Sequence, residues 1–149
     1  MRKFHVVDTE FRFHEDVPDA PRRATKGSAG YDFSLVEDVI IPPNESILIW
    51  TDIKAEMNPR DILQMHIRSS YGIKKSLMLK NIVGLIDSDY YQNPSNDGNI
   101  GIALYNYGKE TVNLEKGEAF CQGVFSEYLI TDNDNTYQER EGGMGSTSK

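Results

Sequence analysis

The chain is built from short apolar or alternating runs that recur roughly every ten residues, with turn residues between them. This rhythm constrains the fold most, because runs of that length suit strands whose side chains alternate between two faces of a sheet. The turn residues are Pro42-Pro43, Asn58-Pro59, Tyr71-Gly72, the segment 93–98 and Lys116-Gly117. The pattern predicts an all-β fold, with at most a short helix near 70–76, where Gly72 weakens the helical propensity.

The predicted strands cover residues 4–7, 31–34, 39–41, 46–50, 53–57, 62–67, 76–79, 99–105, 112–114 and 119–128. The strand 99–105 has a clear period of two, with Ile100, Ile102 and Leu104 on one face. Gly101 and Ala103 occupy the other face. We expect these small residues to let another group approach the backbone closely.

Length, cysteine content and charge limit the class of protein. A chain of 149 residues suffices for one domain with its own core. No apolar run approaches the ~20 residues of a membrane helix, so we expect no membrane association. Cys121 is the only cysteine and the N-terminus lacks the apolar segment of a secretion signal, which favours the cytoplasm. An excess of 23 acidic over 16 basic residues argues against binding to nucleic acid.

The C-terminal segment is distinct in composition. We divide the chain into a β domain, residues 1–135, and a flexible glycine-rich arm, residues 136–149 (the arm). Residues 139–149 carry too little apolar area to pack alone, which is typical of a mobile terminus. Their glycines also expose backbone N–H groups, and Arg140, Ser146 and Thr147 add hydrogen-bond donors, as in a phosphate-binding loop. From the arm alone both interpretations stay open.

A second candidate site begins at Arg68. Arg68 is followed by Ser69 and Ser70 and then by Gly72, directly after a predicted strand. A guanidinium beside two hydroxyls suits phosphate oxygens. The alternative is a polar turn with Arg68 in a salt bridge.

A third candidate site lies at the end of the apolar run 81–86. Alternation places Asp87 and Asp89 on the same side of the chain. Two close carboxylates repel each other, and a bound Mg²⁺ or a raised pKa would relieve the repulsion; both suit acid–base or metal-assisted chemistry. An Asx-rich turn on a solvated loop is the alternative. Asp32, next to Gly30-Tyr31, adds a further carboxylate.

Taken in order along the chain, these segments resemble the five motifs of the trimeric dUTPase family. The motifs are Ala29-Gly-Tyr-Asp-Phe33, Arg68-Ser-Ser70 leading to Gly72, Gly84-Leu-Ile-Asp-Ser-Asp-Tyr90, Lys116-Gly-Glu-Ala-Phe-Cys-Gln122 and Arg140-Glu-Gly-Gly-Met-Gly-Ser-Thr147. They span residues 29–147, nearly the whole chain. One such motif is weak, whereas all five in order are specific.

The resemblance implies an enzyme that hydrolyses dUTP to dUMP and pyrophosphate with Mg²⁺ as cofactor. It implies a single-domain, jelly-roll-like β-barrel that assembles as a homotrimer with active sites at the subunit interfaces. It also implies that the arm closes over substrate bound elsewhere in the trimer.

The resemblance further implies roles for individual residues. Asp87 resembles the base that activates water for attack on the α-phosphorus, and Asp32 resembles the aspartate that supports Mg²⁺ through water, the ion being held mainly by substrate phosphates. The expected phosphate contacts are Arg68, Ser69 and Gln122, with Arg140, Ser146 and Thr147 on the γ-phosphate. Asn81 would hydrogen-bond uracil, the backbone of Gly101 would contact the base, and Tyr90 would pack under the deoxyribose. The remaining expected substrate-binding residues are Ser70, Gly84, Met144 and Gly145.

The chain departs from the family pattern at several positions. Gly98 lies eight residues after Tyr90 (98 − 90 = 8) instead of two, which predicts an extended hairpin over 91–98. Met144 stands where an aromatic residue usually stacks on the base, so we expect only softer sulfur and methyl contacts there. Ser70 and Ser148 each replace a commoner glycine.

Two alternative functions remain at this point. One is a nucleotide-sensing regulator of the same fold that binds a partner protein, suggested by the extended hairpin and the acidic surface. The other is a dCTP deaminase, a related activity that uses a glutamate at the position of Ala103. Without any such function, the hairpin extension would be a surface insertion that the fold tolerates.

Overall fold

The computed structural model describes residues 1–147. Ser148, one of the predicted departures from the family pattern, lies outside the described residues, as does the final residue of the arm. No helix in residues 1–147 is long and apolar enough to cross a membrane.

The described chain consists mainly of β-strands, which confirms the predicted all-β class. In chain order the strands are β1 Lys3–Val6, β2 Arg22–Arg23, β3 Tyr31–Ser34, β4 Val39–Ile41, β5 Ser46–Trp50, β6 Ile53–Glu56, β7 Asp61–Ile67, β8 Leu77–Leu79, β9 Gly84–Asp87, β10 Gly101–Asn106, β11 Val112–Leu114 and β12 Ala119–Glu127. The one α-helix in this part of the chain, α1, spans Ser69–Lys75, and 3-10 turns cover Thr9–Phe11 and Ser88–Tyr90.

The strands form four hydrogen-bonded sheets. The largest has the order β2-β3-β12-β7-β9, and a three-stranded sheet has the order β5-β10-β8. Two-stranded ladders join β1 with β6 and β4 with β11, and every pairing is antiparallel. No closed barrel of strands is found within residues 1–147.

One apolar core lies between these sheets. Its fully buried side chains include Phe33, Leu63, Met65, Leu104 and Phe120. In β10 the alternation is as predicted, since Ile102 and Leu104 are buried while Gly101 and Ala103 are half-buried. Cys121 is also buried in the core, and burial raises the pKa of its thiol. The core therefore holds the ends of β9 and β10 in fixed positions.

Two of the observed strands, β2 and β9, are absent from the strands predicted from the sequence. β2 has only two residues, Arg22 and Arg23, and exists because it pairs with β3 at the edge of the large sheet. β9 was predicted only as part of an apolar run that ends at Asp87. Neither strand has enough residues to show a period of its own.

The prediction of an extended hairpin over residues 91–98 is wrong, because the strands on either side of this segment do not pair with each other. β9 pairs with β7, whereas β10 pairs with β5 and β8, so the two strands that would have formed the hairpin belong to different sheets. Residues 91–98, which we call the connecting loop, form consecutive turns between them. Positive φ angles at Gln92, Asp97 and Gly98 let the chain reverse within this short segment.

Candidate active site

A cavity of about 210 Å³ lies between β9, β10 and the end of the arm. It gathers residues that are far apart in the chain. Those among the predicted site residues are Asn81, Gly84, Asp87, Tyr90, Gly101, Arg140, Met144, Gly145 and Thr147. We call the first five of these the pocket group.

Gly84 allows β9 to lie close to β7 beside the cavity. A Cβ atom built at Gly84 would lie 3.1 Å from the Cβ of Met65, its partner in the β7–β9 ladder. A larger side chain would therefore push the edge strand away. Asn81, on the preceding turn, is exposed, and its amide nitrogen lies 3.9 Å from the same built atom.

Asp87 and Asp89 face the same cation at the rim of the cavity. Arg140 Nη2 donates to Asp87 Oδ2 and Arg140 Nε donates to Asp89 Oδ1, each at 2.7 Å. The predicted common orientation of the two carboxylates is thus observed. Their repulsion is relieved by an arginine of the arm, a partner that local sequence does not indicate because it lies more than 50 residues away.

Tyr90 forms the wall of the cavity next to these carboxylates. It is 6% exposed, and its hydroxyl donates to the backbone oxygen of Asn99 and accepts from Asn96 Nδ2, both at 2.8 Å. Burial raises the pKa of this phenol, although the bond from Asn96 opposes the rise. The guanidinium of Arg140 lies 5.7 Å from the ring centroid, on the ring face.

At Gly101 the group that lies close to the backbone is a side chain of the protein, the indole of Trp50. A Cβ atom at Gly101 would lie 3.0 Å from the indole ring of Trp50. Trp50 is in turn stacked on Phe13, with ring centroids 4.9 Å apart and planes 6° from parallel. The indole therefore occupies the space that the small residue leaves, and Gly101 contributes its backbone to the cavity.

The end of the arm is folded against the cavity, and we call residues 140–147 the arm loop. Ser146 N donates to Gly143 O at 3.1 Å, and Ser146 Oγ donates to Gly142 O at 2.9 Å. Gly145 has a φ of +78°, which allows the tight turn. Gly142 and Gly143 are buried, whereas Met144 is 62% exposed and covers the cavity only in part.

The residues of the arm before this loop differ from it in exposure. Residues 136–139 are exposed, as are residues 128–135 at the end of the β domain. The flexibility predicted for the arm, and its boundary at 135/136, stay predictions. The docked loop lies on the cavity of its own chain, whereas the resemblance implied a site elsewhere in a trimer.

The other predicted site residues form a separate cluster, which we call the Arg68 group. It consists of Asp32, Arg68, Ser69, Ser70 and Gln122. The Asp32 carboxylate lies 3.3 Å from Arg68 Nε, in a half-buried ion pair. Gln122 pairs with Asp32 on β3, and its side chain lies over Gly30, where a Cβ atom would be 2.2 Å from the amide oxygen. Glycine is therefore required at position 30 if Gln122 keeps this conformation.

Helix α1 orients Ser69 and Ser70, which are exposed in its first turn. The backbone oxygen of Arg68 accepts from the N–H groups of Tyr71 and Gly72. The Tyr71 hydroxyl donates to Glu118, which ties the helix to the turn before β12. This bond lowers the pKa of Glu118, while burial, followed by the carboxylate, raises the pKa of Tyr71.

The two clusters are separate within one chain. None of the Arg68 group lines the cavity described above. On the large sheet Gln122 faces His66 across the β12–β7 ladder, and Gly123 faces Met65. Because side chains alternate along a strand, Gln122 lies on the face opposite to Met65 and Gly84, whereas Asp87, three residues along β9, lies on the same face as Gln122.

No group of three or more His, Cys, Asp or Glu side chains suited to a metal ion is found in the described part of the chain. The carboxylate in the Arg68 group is that of Asp32, 18% exposed beside Arg68. Magnesium usually keeps several waters and uses one or two carboxylates together with substrate phosphates. This donor set fits such an ion and does not fit an all-protein cage.

Sequence reasoning missed three residues that support the pocket group or the Arg68 group. They are Trp50, which packs against Gly101, Asn96, which holds the Tyr90 hydroxyl, and Glu118, which fastens α1. For Asn96 the turn cluster 93–98 was a usable signal, since Asn side chains stabilise turns by bonding to nearby backbone. Trp50 and Glu118 act through contacts at long sequence separation, for which local pattern carries no signal.

The chain is similar to known proteins along nearly its whole length. A family model described as dUTPase matches residues 17–148. The chain is 46% identical over 149 residues to the deoxyuridine 5'-triphosphate nucleotidohydrolase of Lactococcus lactis subsp. lactis strain IL1403, with 99% of this chain and 97% of that protein covered. It is 32% identical over 157 residues to the protein of the same name from Tolumonas auensis, with 100% and 99% covered.

Solved structures agree with these sequence relatives. The crystal structure of a dUTPase from Streptococcus mutans matches with a TM-score of 0.76 and 38% identity, covering 88% of this chain and 99% of that one. The dUTPase from phage phi11 of S. aureus matches with a TM-score of 0.70 and 20% identity, covering 93% and 97%, and so shares the fold. A mutant of that phage enzyme coordinates a structural Mg(II) ion.

Proposed function

The chain belongs to the dUTPase family, and on that premise we propose how its residues divide the work of the reaction. The enzyme hydrolyses dUTP to dUMP and pyrophosphate. Our proposal assigns the nucleoside and the attacking water to the pocket group, and the triphosphate to the Arg68 group and the arm loop.

The observation that carries this assignment is the composition of the cavity. It brings together nine of the predicted site residues, drawn from positions 81–147. Asn81 offers amide groups for the edge of uracil, and the backbone of Gly101 offers further hydrogen-bonding groups. The buried ring of Tyr90 offers an apolar surface for the deoxyribose.

For the chemical step we propose Asp87 as general base. Its side chain is 54% exposed at the rim of the cavity, so a water molecule can reach it. The carboxylate accepts a proton from this water as the water oxygen bonds to the α-phosphorus, and the bond to the pyrophosphate oxygen breaks. Pyrophosphate leaves with the electron pair of that bond, so dUMP and pyrophosphate are the products.

Arg140 is proposed to change partners during this step. In the described chain its guanidinium bridges Asp87 and Asp89, so the Asp87 carboxylate is engaged in an ion pair. A triphosphate offers the guanidinium a more highly charged partner. Transfer of Arg140 to the γ-phosphate, aided by Ser146 and Thr147, frees the Asp87 carboxylate to act as base.

The Arg68 group is proposed to hold the phosphate chain. The guanidinium of Arg68, the hydroxyls of Ser69 and Ser70 and the amide of Gln122 supply hydrogen-bond donors. Mg²⁺ is the proposed cofactor, and when bound it neutralises charge on the triphosphate. Asp32 would orient the ion through water, because its carboxylate is already shared with Arg68.

We further propose a homotrimer with active sites between subunits. The support is that none of the Arg68 group lines the cavity of its own chain. A second subunit could bring its Arg68 group to the cavity of the first. A cytoplasmic location likewise stays a proposal, based on the single cysteine.

The two alternatives gain no support. The curated relatives carry the name of a nucleotidohydrolase, which favours neither a regulator nor a deaminase. Ala103 carries no group that could serve a deamination.

The experiment that tests the proposal measures product release from four nucleotides. Purified protein with Mg²⁺ should release pyrophosphate from dUTP and much less from UTP, dCTP and dTTP. Ammonia should not appear from dCTP. Equal hydrolysis of all four nucleotides would contradict the assignment of the pocket group to the nucleoside.

A further inference from the structure

The connecting loop, residues 91–98, is held rigidly by its own asparagines. The side chain of Asn93 is buried, and its Oδ1 accepts from Ser95 N at 3.1 Å and from Ser95 Oγ at 2.8 Å. Its Nδ2 donates to Tyr90 O at 2.8 Å and to Asn96 Oδ1 at 2.6 Å. The loop therefore has one preferred shape, stabilised by local side-chain bonds.

The loop is also anchored to the body of the domain. Asp97 Oδ2 accepts from Lys54 Nζ at 2.6 Å and from Asp8 N at 2.8 Å, in a site where the Lys54 and Asp97 side chains are 4% and 7% exposed. Burial alone would lower the pKa of Lys54, but the bonds to Asp97 and Asp8 outweigh it and raise that pKa. A buried, paired charge at this point fixes the loop against β6.

The arm loop rests directly on this rigid segment. A Cβ atom built at Gly143 would lie 2.7 Å from Ser95 Oγ and 3.1 Å from Asn96 Nδ2. A Cβ atom at Gly142 would lie 3.9 Å from Ser95 Oγ. Both glycines are buried although they belong to an otherwise exposed terminus. The fit depends on the absence of side chains at this pair.

From these contacts we propose that the connecting loop is the seat on which the arm loop docks, with Asn96 as a positioning residue for closure of the active site. Asn96 links the seat to the cavity, because the same side chain faces Gly143 and donates to the Tyr90 hydroxyl. The seat thus aligns Tyr90, Arg140 and the glycine pair in one assembly. This inference rests on the proposed roles of the arm and the cavity.

The seat also accounts for how the arm is held with Met144 at its tip. Met144 is 62% exposed, so it contributes little buried area to docking. The two ion pairs of Arg140 and the close packing of the glycine pair supply the attachment instead. The extra residues between Tyr90 and Gly98 therefore form the surface on which the arm docks. They have a role that an insertion merely tolerated at the surface would lack.

The test is a double-variant cycle read by hydrogen–deuterium exchange of the peptide covering residues 140–147, in the full-length protein without nucleotide. Gly143→Ala should speed exchange of this peptide roughly ten-fold, because its methyl group collides with Ser95 Oγ. Adding Ser95→Ala removes that oxygen and should bring exchange part of the way back towards wild type, because Asn96 Nδ2 still lies 3.1 Å from the added methyl group. kcat/KM for dUTP should fall and recover in parallel.

Gly27→Ala is the matched control, since a Cβ atom at Gly27 meets no atom within 4 Å. It should leave exchange of residues 140–147 unchanged. Exchange is measured without substrate, so this outcome is independent of whether Asp87 is the base. If Gly143→Ala leaves exchange unchanged, or raises it equally with and without Ser95→Ala, the connecting loop is not the seat of the arm.

Discussion

The pocket group and the Arg68 group differ in how much of their surroundings one chain supplies. The pocket group lines a cavity that β9, β10 and the arm loop close within a single chain. The Arg68 group lies on an open sheet face, where its members contact each other and little else on the side that would meet a ligand. A cavity excludes water and strengthens electrostatic contacts, which an open face cannot do alone.

In the proposed homotrimer, this difference indicates where a second subunit would act. The nucleoside needs a shaped, partly apolar space, which local packing of two sheets provides. The triphosphate needs concentrated positive charge, which an acidic chain with few arginines at any one place supplies only by bringing distant groups together. Four experiments separate the two clusters, from the largest expected effect to the smallest.

The largest effect is expected in the pocket group. Asp87→Asn should lower turnover of dUTP by roughly 10²–10⁴-fold while dUTP still binds, because the amide cannot accept the proton of the attacking water. Pyrophosphate release and calorimetric binding measure the two quantities. Asp89→Asn is the control, since Asp89 shares Arg140 and is exposed to the same extent. An equal loss of turnover in Asp89→Asn would remove the distinction between the two carboxylates.

A smaller effect is expected in the Arg68 group. Arg68→Ala should weaken dUTP binding by roughly 10–100-fold, because it removes charge-assisted bonds to phosphate. Binding of deoxyuridine, which has no phosphates, should not change. Arg60→Ala, at an exposed arginine, serves as control. A comparable loss of deoxyuridine binding in Arg68→Ala would place Arg68 in the nucleoside site instead.

Mixed oligomers address the two clusters together. Asp87→Asn chains and Arg68→Ala chains, refolded together in equal amounts, should regain about a quarter of the wild-type rate if one site takes its two clusters from different subunits. In random assembly, each of the two clusters of a site comes from a chain in which it is intact in half of the cases, so about a quarter of the sites have both clusters intact. Light scattering would report the oligomeric state. A mixture no more active than the average of its parents would mean that each site is built within one chain.

The smallest effect concerns the support of the Arg68 group. Tyr71→Phe removes the bond to Glu118 that ties α1 to the sheet and should cost about 1 kcal/mol of unfolding free energy at neutral pH. The pKa of Glu118 is lowered in the folded state, so this stability is present above the ordinary pKa of glutamate, about 4.3. It is lost as the pH falls through the lowered value in the folded protein.

Urea unfolding at several pH values measures this dependence. Wild type and Tyr71→Phe should therefore differ at pH 7 and converge in strong acid. Tyr107→Phe is the control, because Tyr107 also fastens α1 but donates to the backbone oxygen of Gly72, which does not titrate. A difference between wild type and Tyr71→Phe that stays constant into strong acid would argue against the Glu118 contribution.

Much of the fold was predictable because strands leave a local signature. Short apolar or alternating runs gave β3, β4, β5 and β11 at their observed bounds, and most other strands within one or two residues. The connecting loop was mistaken for part of a hairpin. Turn residues predict a reversal of the chain, but they carry no information on which sheet the next strand joins.

The candidate site was predictable in its residue types and less so in its contacts. The carboxylate pair Asp87 and Asp89 was expected to share an orientation, and it does. The partner Arg140 was expected on a phosphate and lies on these carboxylates. Such a pairing depends on how the arm packs, and packing between segments over 50 residues apart has no periodicity in the sequence.

The sequence by itself determined the class of fold, the order of the motifs and the chemical groups available for binding a nucleotide. Only the tertiary structure decided that Trp50 occupies the space beside Gly101, that the connecting loop lies under Gly142 and Gly143, and that the Arg68 group is separated from the cavity. The reason is physical. Backbone propensity and side-chain alternation act over a few residues, whereas close contacts follow from how whole sheets pack around a common core.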